Sequence, residues 1–317
     1  METIYLDKST GMLLPCVSTI GFFDGVHAGH RYLINKVVET ARQLGLASTV
    51  ITFERHPRQV LSSDWHPQLL STLEEKAALL SETGIDRLVV LRFDTAMAAL
   101  SAHDFMLNVL HSQLGVRVLV TGYDNHFGHR QPGSSEGFDD YVAYGAEVGM
   151  SVVQGLPLDA DGIRVSSSKV RRLLAAGDAE KAALCLGRPY QLTGRVVSGY
   201  HIGTGMGFPT ANLQPQDPDK LIPAAGAYAV KVLTEGSKEL RHGMMNIGRR
   251  PTFGGDHQTL ETHIFDFEGN IYGQTMTVWF VARLRAEMKF DSREALMAQL
   301  SADARQAKNI LNKTTEI

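Results

Sequence analysis

Two patterns of apolar and polar positions follow one another along the chain, and the change falls near residue 187. From residue 17 to about 158, short β-branched runs at 17–22, 48–53, 87–93, 116–121 and 151–156 alternate with helical spacings. Leu33, Val37, Ala41 and Leu44 recur at the helical period, and a further helix is expected across 102–114. Strands alternating with helices predict a parallel sheet with crossover helices. Such sheets bind ligands at the C-terminal ends of their strands, so the segment after 17–22 is the first place to look for chemistry.

Two helices follow, at 169–176 ending on Gly177 and at 178–186 starting from an Asp178 cap and ending on Gly187. Beyond Gly187 the helices disappear. Strand-like runs at 190–197, 227–233, 242–247, 259–267 and 275–284 are separated by turns bearing Gly and Pro, which predicts a small antiparallel barrel or sandwich. Asp291 with Glu294 three residues on resembles a capping box for a last helix through about residue 310. These patterns place a domain boundary near 185–189, giving domains 1–184 and 185–317, with no internal repeat.

Length supports the division, because cores tend to split beyond roughly 250 residues and this chain has 317. With 44% hydrophobic and 21% charged residues it has the composition of a globular protein. A net charge of -3 with scattered Lys and Arg argues against broad nucleic-acid binding. Cys16 and Cys185 form no metal-ligand spacing or disulfide framework. The first ten residues do not read as a signal peptide, and no apolar run approaches the ~20 residues that span a bilayer. A cytoplasmic enzyme with no membrane partner is the simplest expectation.

The run Gly21-Phe22-Phe23-Asp24-Gly25-Val26-His27-Ala28-Gly29-His30 lies between a predicted strand and a predicted helix. Two imidazoles three residues apart at a helix start project to one face, where backbone N–H groups and the helix dipole favour a phosphate. Gly25 and Gly29 allow that phosphate to approach the backbone. Nucleotidyl transfer needs no protein nucleophile, because the acceptor phosphate attacks the α-phosphorus of ATP; the protein aligns the reactants and neutralises growing charge. One His among 12 is more often a satisfied loop or surface residue, and the strand–helix setting is what gives this pair its weight. A second helix-start cluster, Ser167, Ser168 and Arg171, has the hydroxyls, N–H groups and guanidinium of a triphosphate clamp. Ser167 as a helix cap and Arg171 on a solvated face are the ordinary alternatives, and Lys169 and Arg172 are evenly balanced between roles.

In the later half, Gly203-Thr204-Gly205-Met206-Gly207-Phe208-Pro209-Thr210-Ala211-Asn212 holds three glycines in five residues, a backbone able to wrap phosphates or simply to turn a hairpin. Pro209 stiffens its exit.

These strings resemble the bacterial bifunctional riboflavin kinase and FMN adenylyltransferase family, over nearly the whole chain. The first run carries the H-x-G-H signature of nucleotidyltransferases, with Phe22 where the familiar form has Asn. Thr52-Phe53-Glu54-Arg55-His56-Pro57, Gly122-Tyr123-Asp124-Asn125-His126-Phe127-Gly128 and Val165-Ser166-Ser167-Ser168-Lys169-Val170-Arg171 match further segments. The resemblance implies an α/β, Rossmann-like nucleotidyltransferase domain followed by a small antiparallel β-barrel riboflavin kinase domain with a C-terminal helix. In the first domain it implies catalysis by His27 and His30. It also implies ATP contacts from Gly21, Phe23, Asp24, Gly25, Gly29, Asp124, Ser167, Ser168 and Arg171, and flavin contacts from Phe53, His56, Pro57 and Asn125.

For the second domain the string Gly207-Phe208-Pro209-Thr210-Ala211-Asn212 resembles the riboflavin kinase motif. The implied ATP contacts are Gly203, Gly205, Gly207, Pro209 and Thr210, with Mg²⁺ held by Thr210 and Asn212 beside the ATP phosphates. Thr204 stands where the family usually has Arg. Glu261 matches the carboxylate that orients or deprotonates the alcohol, in preference to Asp266 further along the same strand. ATP, riboflavin, FMN, FAD and pyrophosphate are the implied substrates and products; Asn246-Ile247-Gly248-Arg249-Arg250-Pro251-Thr252-Phe253 also matches the family, as the wall of that site. Two other functions stay open on sequence: adenylyl transfer to another phosphorylated acceptor with a regulatory β domain, and a flavin-binding regulator without catalysis.

Overall fold

The computed structural model describes residues 1–7, 11–62, 64–123, 125, 127–129, 136–198, 207–252 and 255–313, with the backbone alone at 61, 249–252 and 255–257. The chain divides into two compact units, Met1–Val165 and Ser166–Ile317.

The first unit is built on six parallel strands: β1 (Glu2–Leu6), β2 (Cys16–Ile20), β3 (Ala47–Phe53), β4 (Arg87–Leu91), β5 (Val116–Thr121) and β6 (Ser151–Gln154), in the order β1-β4-β3-β2-β5-β6. Successive residues of the central strands supply two separate apolar faces, as burial on both sides demands. Val17, Val50, Leu88 and Val118 pack with Leu33, Ile34 and Val37 of helix α1 (Ala28–Leu44) and Leu79 and Leu80 of the later helix Leu73–Ser81. Ile20, Ile51, Val89 and Leu119 pack on the opposite face against Phe105, Met106 and Leu110 of a π-helical segment, Phe105–Gln113. Burying each such side chain contributes about 1.5–3 kcal/mol. After β4 the chain returns to lay β5 against β2, opposite β3, so the C-terminal end of β2 lies at the reversal in strand order. A crevice opens at such a point.

Four helices were not evident in the sequence: α2 (Pro57–Leu61), α3 (Leu73–Ser81), α4 (Thr95–Ala98) and α6 (Phe138–Glu147). Between α4 and α6 lies α5 (Ala102–Asp104), opening the helix expected at 102–114. A short hairpin of β7 (Asp159–Ala160) and β8 (Ile163–Arg164) closes the unit.

The second unit begins with α7 (Ser167–Ala176) and α8 (Ala179–Leu186), both ended by left-handed glycines, Gly177 and Gly187, as expected. Asp178 caps α8 by accepting from the Lys181 N–H at 3.1 Å. Strands β9 (Tyr190–Val197), β10 (Ala211–Pro215), β11 (Gly226–Thr234), β12 (Arg241–Thr252), β13 (Gly255–Ile264) and β14 (Thr275–Ala286) form a closed antiparallel barrel, order β10-β13-β12-β11-β14-β9. Alternation sends Leu192, Tyr228, Val230, Met245, Thr262, Val278 and Phe280 to the buried interior. The opposite face of Ala229 and Met244 is covered by Ala307 and Leu311 of α9 (Arg293–Lys313). The cap of α9 is Ser292, whose hydroxyl accepts from Ala295 N–H at 3.1 Å, in place of the expected Asp291. Among the described residues no helix is long and apolar enough to cross a membrane.

Arg285 of β14 and Asp303 of α9 form a largely buried ion pair at 2.9 Å, and Gln299 also donates to Asp303 at 2.8 Å. Removing one partner of such a pair strands the other charge. Asp303→Ala is therefore expected to destabilise the second unit by about 3 kcal/mol. Urea unfolding followed at Trp279 of β14, in a Trp65→Phe background, measures it.

Candidate functional site

Immediately after β2 the backbone turns left-handed. Phe23 (φ 51), Gly25 (φ 77) and Val26 (φ 38) all adopt positive φ around one 3-10 turn, Asp24–Val26. Gly25 takes this conformation without strain, whereas the β-branched Val26 is held in it by its surroundings. The buried Asp24 carboxylate is the main restraint, accepting from Leu70 N at 2.9 and 3.0 Å and from Ser71 N at 3.0 Å. The Ser71 hydroxyl in turn accepts from Gly25 N at 2.9 Å.

This turn delivers His27 as the N-cap of α1 and His30 one turn further on. The Nδ1 of His27 accepts the His30 backbone N–H at 3.2 Å, which leaves the proton of a neutral ring on Nε2. The two imidazoles stack with centroids 3.5 Å apart and planes 17° from parallel. A Cβ on Gly29 would come within 3.3 Å of the His27 ring, so glycine there permits the stack. Phe23 packs edge-on against His30 at 5.1 Å.

Gly21, Asn125 and His56 stand at or near the same strand ends. Gly21 N donates to Ile51 O at 3.1 Å, and the Asn125 amide donates to Ile20 O at 2.6 Å, tying the loop after β5 to the end of β2. Phe53 ends β3 with its ring in the core, 5.5 Å from Phe93. His56 caps α2, with Pro57 as the first helical residue, and its ring lies 4.7 Å from both Phe22 and Trp65. Arg58 covers the Trp65 ring at 5.1 Å. Asp124 lies outside the described residues. Ser167 and Ser168 open α7 in the second unit, capped by Ser166, which accepts from Lys169 N at 3.2 Å; Arg171 lies one turn on.

In the second unit β10 and β12 flank β13 so that Asn212 and Asn246 both stand opposite Glu261. Directly paired residues share a face of a sheet, and this face is the one turned away from the barrel interior. A cavity of about 220 Å³ lies along it, between the barrel wall and α9. Glu261, Asn246, Met244 and Phe208 line its barrel side, and Leu296 and Leu300 its helix side. A second cavity of about 510 Å³ borders Pro209, Ala211 and the 267–272 turn. Thr210 lines both cavities, whereas Glu261 lines only the first. Gly207 is exposed before Phe208; Gly203, Gly205 and Thr204 lie outside the described residues.

Two residues that sequence reasoning passed over belong to these sites. His263, two positions after Glu261 and so on the same face, donates from Nδ1 to Pro209 O at 2.8 Å. Its ring meets Phe208 at 5.2 Å and Phe265 at 5.6 Å. Burial pushes its pKa below the ordinary imidazole value, with Lys308 adding to the fall and the Pro209 bond and Asp266 opposing it. A lone His in a strand carries no sequence signal of such a role.

The other is Lys76 of α3, 1% exposed, whose pKa burial lowers to about 8 against the pull of Asp24. The unfolded chain then binds more protons than the folded one between pH 8 and 10.5, so the cost of burial is fully present below pH 8 and fades as pH rises to 10.5. That cost is about 3 kcal/mol. Lys76→Met is therefore expected to stabilise the first unit by roughly 1–3 kcal/mol at pH 7 and by little at pH 10. Urea unfolding monitored at Trp65 at the two pH values measures the difference.

A parallel α/β unit with paired histidines at the strand-order reversal, joined to a closed barrel with an Asn212–Glu261–Asn246 row, defines a nucleotidyltransferase-type unit coupled to a kinase-type barrel. The comparisons with known proteins agree: the FAD synthetase family matches residues 11–169 and the riboflavin kinase family residues 186–311. The chain belongs to the bifunctional riboflavin kinase/FMN adenylyltransferase family. A relative of that name from Pseudomonas fluorescens is 39% identical over 92% of both chains, and one from Escherichia coli K12 is 38% identical over 94% of both. The Bacillus subtilis relative is 33% identical over 97% of both. A crystal structure described as a macrolide-efflux protein from Streptococcus pneumoniae superposes with a TM-score of 0.87 at 30% identity, covering 98% of this chain and 99% of its own.

Proposed function

We propose that this chain makes FMN and FAD in two steps at two separate sites. The observation that carries the reading is the separation itself: the stacked His27 and His30 stand in the first unit, and Thr210, Asn212 and Glu261 in the second. In the domain assignment, residues 1–184 form the adenylyltransferase and 185–317 the kinase.

In the kinase step the γ-phosphoryl group of ATP passes to the 5′-hydroxyl of riboflavin, giving FMN and ADP. The apolar cavity under α9 suits the isoalloxazine, whose ribityl chain then reaches Glu261. Glu261 takes up or orients the hydroxyl proton as the oxygen attacks. Thr210, on the wall common to both cavities, stands where donor phosphate and acceptor alcohol meet, with Gly203, Gly205, Gly207 and Pro209 as further ATP contacts. The Thr210 hydroxyl and Asn212 amide oxygen are neutral hard donors that suit Mg²⁺. Among the described residues no group of three His, Cys, Asp or Glu side chains forms a cation cage, so the phosphates of ATP bring most of the charge that holds the ion. When bound, Mg²⁺ neutralises the phosphate oxygens.

In the adenylyl step a phosphate oxygen of FMN attacks the α-phosphorus of a second ATP, forming the phosphoanhydride of FAD and expelling pyrophosphate. His27 and His30 donate to the transferring group, beside the N–H groups that open α1. The glycines Gly21, Gly25 and Gly29 let the nucleotide approach the backbone, with Phe23 and Asp24 shaping the turn. Asp124 adds a further ATP contact; Ser167, Ser168 and Arg171, at the start of α7, carry the hydroxyls and guanidinium of a triphosphate clamp. His56 and Pro57, beside the rings of Phe22 and Trp65, offer aromatic and apolar surface to the flavin, with Phe53 behind them and Asn125 at the strand end. Both cysteines are buried free thiols, which supports a reducing cytoplasmic setting.

His30→Ala is expected to abolish FAD formation, by about 100-fold or more, while riboflavin is still converted to FMN. Glu261→Ala is expected to block FMN formation to a similar extent yet leave FAD formation from supplied FMN. Chromatography of the flavin products measures both. Loss of both reactions from either single change in a folded protein contradicts the two-site assignment.

A further inference from the structure

The ammonium of Lys76 is surrounded by the machinery of the first site yet has no part in the chemistry described so far. Its Nζ lies 3.9 Å from the centroid of the Phe22 ring and 3.3 Å from Thr52 Oγ1. The charge of Asp24 acts on it from a distance, but that carboxylate is already turned toward the backbone of Leu70 and Ser71. Glu75, the next residue of α3 in the other direction, directs an oxygen to Thr72 N at 3.0 Å. His56, from the start of α2, contacts the Phe22 ring that lies against the ammonium.

Thr52 then sets a direction. Its hydroxyl donates its one proton to Phe22 O at 3.2 Å, so its lone pair must receive the Lys76 proton. The relay runs from Lys76 through Thr52 to the carbonyl that precedes Phe23, the first left-handed residue of the turn. The same ammonium lies over the Phe22 ring, 3.9 Å from its centroid. A buried charge that costs stability in this way is commonly kept for what it does to a site.

We propose that Lys76 is a positioning residue for adenylyl transfer, fixing Phe22 through its carbonyl and its ring so that the turn behind it keeps His30 stacked on His27. The inference rests on the adenylyl-transfer reading of that histidine pair. Lys76 itself touches neither nucleotide nor flavin. In the familiar family form Asn stands at position 22, and in this chain the aromatic ring there makes the cation its partner.

The test uses the full-length chain with supplied FMN and Mg-ATP. Lys76→Met is expected to lower kcat for FAD formation about 10- to 100-fold, as a small displacement of catalytic groups does, with KM for FMN changed less than about threefold. Riboflavin phosphorylation in the same preparation is expected to stay at the wild-type rate. Lys76→Arg, which keeps the charge, is expected to recover part of the loss, and Thr52→Val, which cuts the relay but is nearly isosteric, to reproduce part of it. The alkaline fall in the wild-type rate as the ammonium loses its proton is expected to be missing from Lys76→Met. A Lys76→Met protein that is more stable and slower separates positioning from a merely structural role. If Lys76→Met does not fold, Thr52→Val and Lys76→Arg carry the test. Wild-type kcat in Thr52→Val, or in a folded Lys76→Met, overturns the inference alone. No FAD from the wild-type chain overturns the reading of the histidine site, and this inference with it.

Discussion

A left-handed backbone turn at the end of β2, held shut by a buried aspartate, is what the first site depends on. Extended or helical geometry at Phe23, Gly25 and Val26 would carry His27 away from the cap position of α1. The energy that keeps the turn comes from outside it. Asp24 gathers three backbone N–H contacts from Leu70 and Ser71, a segment 46 or more residues away, so the turn forms only when the whole unit has folded. Charge-assisted bonds of this kind contribute roughly 1.5–3 kcal/mol each, enough to outweigh strain of the order expected at Val26. Asp24 therefore does structural work at the heart of the site, which qualifies any view of it as only a nucleotide contact.

The barrel solves a different problem. Closing the sheet gives every strand a partner and buries interior side chains such as Tyr228, Val230 and Phe280. On the outer face α9 stands off from the wall and leaves a cavity lined by Glu261. Cross-strand register supplies the precision: Asn212, Glu261 and Asn246 sit side by side on three adjacent strands, although they span 49 positions of sequence. The Arg285–Asp303 pair fixes the helix that forms the cavity's other wall.

Much of this was legible in the sequence because the relevant signals are local. β-branched runs marked the central parallel strands, Gly177, Asp178 and Gly187 marked helix ends, and the H-x-G-H and G-F-P-T-A-N strings marked both sites. The missing elements lack such signals. β1 reads Glu-Thr-Ile-Tyr-Leu at a sheet edge and is largely exposed, so it resembles a tail. β10 reads Ala-Asn-Leu-Gln-Pro, poor in strand formers, and is a strand because β9 and β13 pair with it. α3 conceals its buried face because Lys76 occupies it, where a periodicity argument expects an apolar residue. His263 and Lys76 were passed over for one reason: their partners, Pro209 and Thr52, lie 54 and 24 residues away and meet them only in the folded chain.

The two units thus handle the same nucleotide in different ways, one working at its terminal phosphorus and the other at its innermost. Isotopic labelling of ATP distinguishes these most directly. With riboflavin, Mg²⁺ and ATP labelled at the γ-phosphorus, the account predicts label in FMN and, through it, in FAD. Label at the α-phosphorus is predicted to enter FAD and never FMN. Label from the α-position in no flavin product, or FMN without label from the γ-position, would contradict it.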